Sequence, residues 1–258
     1  MNENYNILKS KIAEAEIILV GIGEEFEYTE VLASDDKYQR ICNQLAAHQL
    51  EALLPYVNHY FLKQNVKYQN ALSKLANFLD GKNAFVVSTC MNGMLEESGM
   101  PLDKMVTPCG NILKLQCQEG CQDALFDVPK EYTDLLIKCI EQEDGWQELK
   151  EHKCGVCGHE MVFNTLYAKH YLETGYLPMW SKYTTWLQGT VNKKLCVLEL
   201  GVGLKYPSVI RWPFEKTAFY NNKAFFLRVH EKLSQLTPEI SEKGLSIAVN
   251  AVEFLADI

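Results

Sequence analysis

Four cysteines constrain this chain more than any other feature. Cys117 and Cys121 enclose three residues, Cys154 and Cys157 enclose two, and 32 residues separate the pairs. Zinc takes four soft ligands at tetrahedral corners, and a turn of two or three intervening residues offers two thiolates at the right bite. Gly120, Gly155 and Gly158 allow the tight backbone such knuckles need. The spacing predicts a structural zinc on Cys117, Cys121, Cys154 and Cys157, with free buried thiols as the alternative. An all-thiolate shell leaves no open position for water, so this metal would hold structure rather than do chemistry. His159, two residues beyond Cys157, could ligate, but four cysteines already fill the shell.

Unbroken apolar runs are the second constraint. Residues 16–23, 84–89, 195–203 and 224–229 are short, predominantly apolar runs, two of which end at glycine, the pattern of parallel strands covered on both faces. Between the first two, residues 37–80 show helical spacing, in Leu50, Leu53, Leu54, Val57 and Phe61 and again in Tyr68, Leu72, Leu75 and Leu79. Pro55 is expected to split or kink the first helix, and Asp80-Gly81 to end the second. Ala248, Ala251, Val252, Leu255 and Ile258 predict a closing amphipathic helix. The expected fold is α/β: a Rossmann-like doubly wound parallel sheet with a small helical plus zinc-ribbon domain. Residues 1–36, 81–116 and 195–258 would form the large domain. Residues 37–80 would form the helical module, and 117–194 the ribbon insertion with connecting helices. The aromatic-rich segment 165–194 reads as core or junction packing.

With 25 basic against 33 acidic residues the net charge is −8, which repels phosphate backbones; nucleic acid is not an expected partner. No apolar run reaches the ~20 residues of a membrane span, and the start of the chain lacks the basic residues of a secretory signal. Nine cysteines without an export signal point to a reducing cytoplasm.

Gly21-Ile22-Gly23 stands where a dinucleotide fold has its phosphate turn, yet Glu24, Glu25 and Glu27 follow. Those carboxylates would repel a diphosphate unless turned away, so a plain tight turn is the competing reading. Gly201-Val202-Gly203 ends a later strand and precedes Pro207-Ser208, a plausible helix start. It could approach a ligand closely or only close a strand.

The sheet, the glycine turn and the four-cysteine ribbon together resemble the sirtuins, along the whole chain. Val87-Ser88-Thr89-Cys90-Met91-Asn92-Gly93 is similar to the family's Thr-Gln-Asn-Ile-Asp-Gly segment. Thr107-Pro108-Cys109-Gly110, leading to Leu113–Cys117, is similar to its His-Gly and the strand entering its ribbon. Leu198–Gly203 and Pro207–Phe214 most resemble a bacterial subgroup whose members are ADP-ribosyltransferases acting on lipoyl carrier proteins, and Leu227–His230 resembles the strand carrying a ribose-binding Asn.

The resemblance implies an NAD crevice with Gly21, Gly23, Ser88, Gly201, Gly203 and His230 toward the cofactor. It places Cys109, Cys90 and Asn92 where the family has its catalytic His, Asn and Asp. A neutral thiol is a poor base. Cys90 and Cys109 could form a reactive pair, or could simply fill space. The expected function is therefore a divergent, zinc-bearing sirtuin-like protein with a degenerate crevice. It would be a weak or inactive deacylase that still binds NAD- or ADP-ribose-type nucleotides or a protein partner. The alternative is an active NAD-dependent ADP-ribosyltransferase or deacylase with altered catalytic groups.

Overall fold

The structure is a computed structural model that describes residues 2–257. In chain order the helices are α1 (Asn2–Glu14), α2 (Thr29–Leu32), α3 (Asp36–Ala47), α4 (Leu54–Gln64), α5 (Val66–Leu79), α6 (Lys130–Gln142), α7 (Leu177–Gln188), α8 (Arg211–Tyr220), α9 (Pro238–Ser241) and α10 (Ala251–Ala256). The strands are β1 (Ile17–Ile22), β2 (Ala84–Ser88), β3 (Met105–Val106), β4 (Gly110–Cys117), β5 (Phe126–Asp127), β6 (Met161–Thr165), β7 (Leu195–Leu200), β8 (Phe225–Val229) and β9 (Gly244–Ile247).

Six strands form one parallel sheet in the order β3-β2-β1-β7-β8-β9, and β5-β4-β6 form a separate antiparallel sheet. The apolar runs behave as expected: every residue of β1, β2 and β7 is buried. Alternate side chains divide between two hydrophobic clusters. Ile18, Val20 and Ile22 meet α5 and α10 on one face, while Leu19, Phe85 and Val197 meet α7 and α8 on the other. This is the doubly wound α/β arrangement.

The chain order reverses between β1 and β7, so the loops leaving the carboxyl ends of β1, β2, β7 and β8 face one crevice. Gly21 lies inside β1 rather than in a turn. A Cβ there would come within 2.4 Å of Ile210 Cγ2 and 2.8 Å of Phe214, so its smallness lets α8 close on the sheet.

Some expectations need correction. Pro55 kinks nothing: it sits in the first turn of α4, where its missing N–H costs no hydrogen bond. A short 3-10 turn at Glu51–Leu53 makes the break from α3 instead. Helix α8 starts at Arg211, four residues after Pro207. Ala248 precedes α10, and Ile258 lies outside the described residues. Helix α6, for which the expectation of connecting helices within 117–194 gave no position, buries Leu136, Cys139 and Ile140 in the same cluster as α3, α4 and α5. Among the described residues no helix is long and apolar enough to cross a membrane.

Candidate metal centre and candidate nucleotide crevice

Strand β4 ends at Cys117, and the turn after it brings Cys121 back. The Cys154–Cys157 knuckle arrives from the segment before β6. The four Sγ atoms all lie within 4.8 Å of one another, with Cys117–Cys157 and Cys121–Cys154 each at 3.5 Å. A zinc–thiolate tetrahedron with 2.3 Å bonds has edges of about 3.8 Å, so these residues fit the ion. Gly120 (φ +59°) and Gly158 (φ +74°) take the left-handed conformation that closes each knuckle, and Gly158 N–H donates to Cys154 O at 2.8 Å. The Cys157 and Val156 backbone N–H groups pull the Cys154 thiol down to about 6, toward the thiolate a metal needs. His159 is not in the cluster; its carbonyl accepts Cys154 N–H at 2.7 Å.

At the crevice the two glycine turns pack on each other. Gly23 N–H donates to Leu200 O (2.9 Å) and Glu25 N–H to Gly201 O (3.2 Å). A Cβ on Gly23 would lie 2.3 Å from Val202 Cα, so the glycine admits the neighbouring loop.

The three carboxylates after β1 do not turn away from the backbone amides. Glu24 accepts from Gly203 N (2.6 Å) and Lys205 N (3.0 Å). Glu25 accepts from Glu231 N and Ala251 N, both at 2.8 Å, and Glu27 from Met91 N at 2.6 Å. Burial raises the pKa of Glu25 and of Glu27 against the pull of these amides. The backbone amides of Gly203, Lys205, Glu231, Ala251 and Met91 are thereby already taken by these carboxylates.

The remaining candidates lie at the same edge, each with internal work. Ser88 Oγ accepts Cys90 N–H (3.0 Å), and the Cys90 thiol donates to Gly23 O (3.1 Å). Asn92 Nδ2 donates to Phe26 O (2.8 Å) and its Oδ1 accepts Met94 N–H (3.1 Å). His230 Nδ1 accepts from Lys232 N and Leu233 N (3.1 Å each), and burial lowers its pKa. Cys109 is fully buried after β3; burial pushes its thiol to about 12 and that of Cys90 well above its usual value. Neither supplies a thiolate near neutrality. We expect both to resist iodoacetamide at pH 7.5 in the folded protein, as intact-mass and peptide mapping would show, while denatured protein is labelled fully.

No sequence motif announces the buried ionic network beside the second glycine turn. Glu199 on β7 pairs with Arg228 on β8 (Arg228 Nε–Glu199 Oε1 2.5 Å), and Arg211 lies 3.4 Å from the same carboxylate. Its only trace was a charged residue within each apolar run. Nor was a role for the Glu24–Glu27 turn foreseen beyond its repulsion.

No family model matches the sequence. It is 29% identical over 192 residues to a Fusarium oxysporum f. sp. cubense protein named "Probable bifunctional ADP-ribose hydrolase/ADP-ribosyltransferase", covering 70% of this chain but 31% of that protein. It is 21% identical to a Staphylococcus aureus protein ADP-ribosyltransferase, covering 93% of this chain and 82% of that one. Among solved structures, Sir2Tm bound to a propionylated peptide superposes with a TM-score of 0.53 at 15% identity, covering 98% of this chain and 95% of that one. A complex of Sir2 with a p53 peptide and NAD+ gives 0.54 at 14% identity, with the same coverage. Strand order, the four-cysteine ribbon and these superpositions agree that the chain has the sirtuin fold.

Proposed function

We propose that this protein is a catalytically degenerate sirtuin-like protein that acts by binding rather than by turning over NAD. Its ligand would be a nucleotide of the NAD or ADP-ribose class, or a protein partner. A structural zinc would hold its ribbon, and the nine unpaired thiols favour a reducing cytoplasm. One observation carries the reading: Cys90, Asn92 and Cys109, which the resemblance sets at the catalytic positions, are buried, and none offers a base near neutral pH. The second reading, an NAD-dependent ADP-ribosyltransferase, is favoured by the names of the two relatives.

A nicotinamide-release assay separates them. Protein incubated with NAD is expected to release no more nicotinamide than a protein-free blank. Release that disappears in Cys109→Ala or Asn92→Ala would overturn the proposal in favour of the transferase. A ligand present at 100 times its dissociation constant stabilises by about 2.7 kcal/mol, so a melting panel of NAD, NADH, ADP-ribose and nicotinamide reads binding separately.

A further inference from the structure

The residues present do not fit a diphosphate as they stand, and this disagreement has a structural cause. Free backbone amides at a glycine turn or helix start are what a diphosphate needs from a parallel-sheet crevice. Here Glu24 holds the amides of Gly203 and Lys205, and Glu25 those of Glu231 and Ala251, the last being the first residue of α10. These four amides follow three separate strands of the sheet, β7, β8 and β9, so two side chains collect donors from half of its carboxyl edge. The turn bearing them is fixed by its own anchor. Phe26 is fully buried, and its carbonyl accepts from Tyr68 OH (2.7 Å) and Asn92 Nδ2 (2.8 Å). Nor does a lysine neutralise them: the Lys205 ammonium turns to the Tyr167 hydroxyl and lies over the Tyr167 and Tyr206 rings.

We infer that Glu24 and Glu25 are an internal anion standing in for a diphosphate, and that they set the ligand specificity of the crevice against pyrophosphate-bearing nucleotides. The inference rests on the binding reading of the proposed function and cuts its ligand class: NAD and ADP-ribose carry the diphosphate that the wild-type crevice resists, which leaves a phosphate-free nucleoside or the protein partner. A dinucleotide would have to displace two carboxylates from four amides and then lie beside their charge. A nucleoside without phosphates meets neither obstacle.

Calorimetric titration of ADP-ribose, inorganic pyrophosphate and adenosine into the wild type and Glu24→Ala/Glu25→Ala tests this. The double variant frees the four amides and removes two charges. It should bind ADP-ribose and pyrophosphate at least about tenfold more tightly than the wild type, with adenosine changed less than about twofold. Should the alanine variant fail to fold, Glu24→Gln/Glu25→Gln keeps one acceptor oxygen per side chain, sets an NH2 donor against the second amide of each pair and removes both charges, and should shift the same two ligands in the same direction. The inference is overturned if the wild type binds ADP-ribose as tightly as a folded variant does. It is equally overturned if a folded variant binds neither pyrophosphate-bearing probe. Nicotinamide release by the wild type, measured in parallel, would instead strike the proposed function, whatever the binding ratio.

Discussion

The purified protein is expected to contain one zinc ion per chain, and stripping it should cost more stability than any single substitution outside its four cysteines. Zinc-finger peptides gain about 10–16 kcal/mol of apparent binding free energy from such a site, and that energy is folding energy. The ribbon has little else to stand on. Strand β5 is two exposed residues, and β4 pairs with β6 through a register break between Asn111 and Leu115. Cys154→Ser should therefore lose the metal and the ribbon together, while the six-stranded sheet keeps its own two clusters. The loss should also propagate to the crevice, because β4 begins at Gly110, next to Cys109, and ends at Cys117. Cys109 O accepts Leu166 N–H at 3.0 Å from beyond β6, and Gly110 (φ +74°) lies so close to Asn164 that a Cβ would meet its carbonyl oxygen at 2.0 Å. Chelation should thus make Cys109 open to alkylation along with the four ribbon thiols. Elemental analysis finding well under one zinc per chain would sink the metal assignment. Metal removal with Cys109 still protected would sink the coupling.

How much of this was legible beforehand divides along physical lines. Strands β1, β2, β7 and β8 were readable because burial on both faces leaves a continuous apolar run, and the ribbon because metal geometry fixes cysteine spacing. Edge strands β3 and β9 left no such mark: β3 has two residues, and Leu245 and Ser246 in β9 are not buried. Helix α6 was hidden by the charged turns around it, although Leu136, Cys139 and Ile140 keep helical spacing. At the crevice, the candidate residues come together at the carboxyl edge of the sheet. What they could not give was the partner of each polar atom. Glu24 and Glu25 were readable as unfavourable neighbours for phosphate. Their use of four amides depends on loops some 180 to 226 residues away in the chain, and no local pattern records that.

Outside the four ribbon cysteines, Glu199 is the position where one substitution should do most damage. It is fully buried on β7, and Arg228, 1% exposed, stands opposite it on β8. The guanidinium grips both carboxylate oxygens (Nε–Oε1 2.5 Å, Nη2–Oε2 3.0 Å), reaches Glu215 Oε1 at 2.6 Å and donates to Gln235 O at 2.6 Å. Burial raises the Glu199 pKa, while both arginines hold the charged form. Glu199→Ala leaves Arg228 and Arg211 in the interior without that carboxylate and should cost about 3–5 kcal/mol. For a chain of this size that lowers the melting temperature by roughly 6–20 °C. Replacing both partners, as in Glu199→Leu/Arg228→Met, removes the unpaired charge and should recover more than half of that loss. Urea unfolding of the two single variants and the double variant gives the coupling, and additive losses would refute a desolvated pair. The network also reaches the crevice: Arg211 donates to Val202 O (2.7 Å) and Leu233 O (2.7 Å), on either side of the amides that Glu24 and Glu25 hold. A folded Glu199→Gln should therefore show faster hydrogen exchange at Gly203 and Glu231 than the wild type, with the ribbon amides unchanged. Those two amides are protected by carboxylates only while the loops that carry them stay pinned.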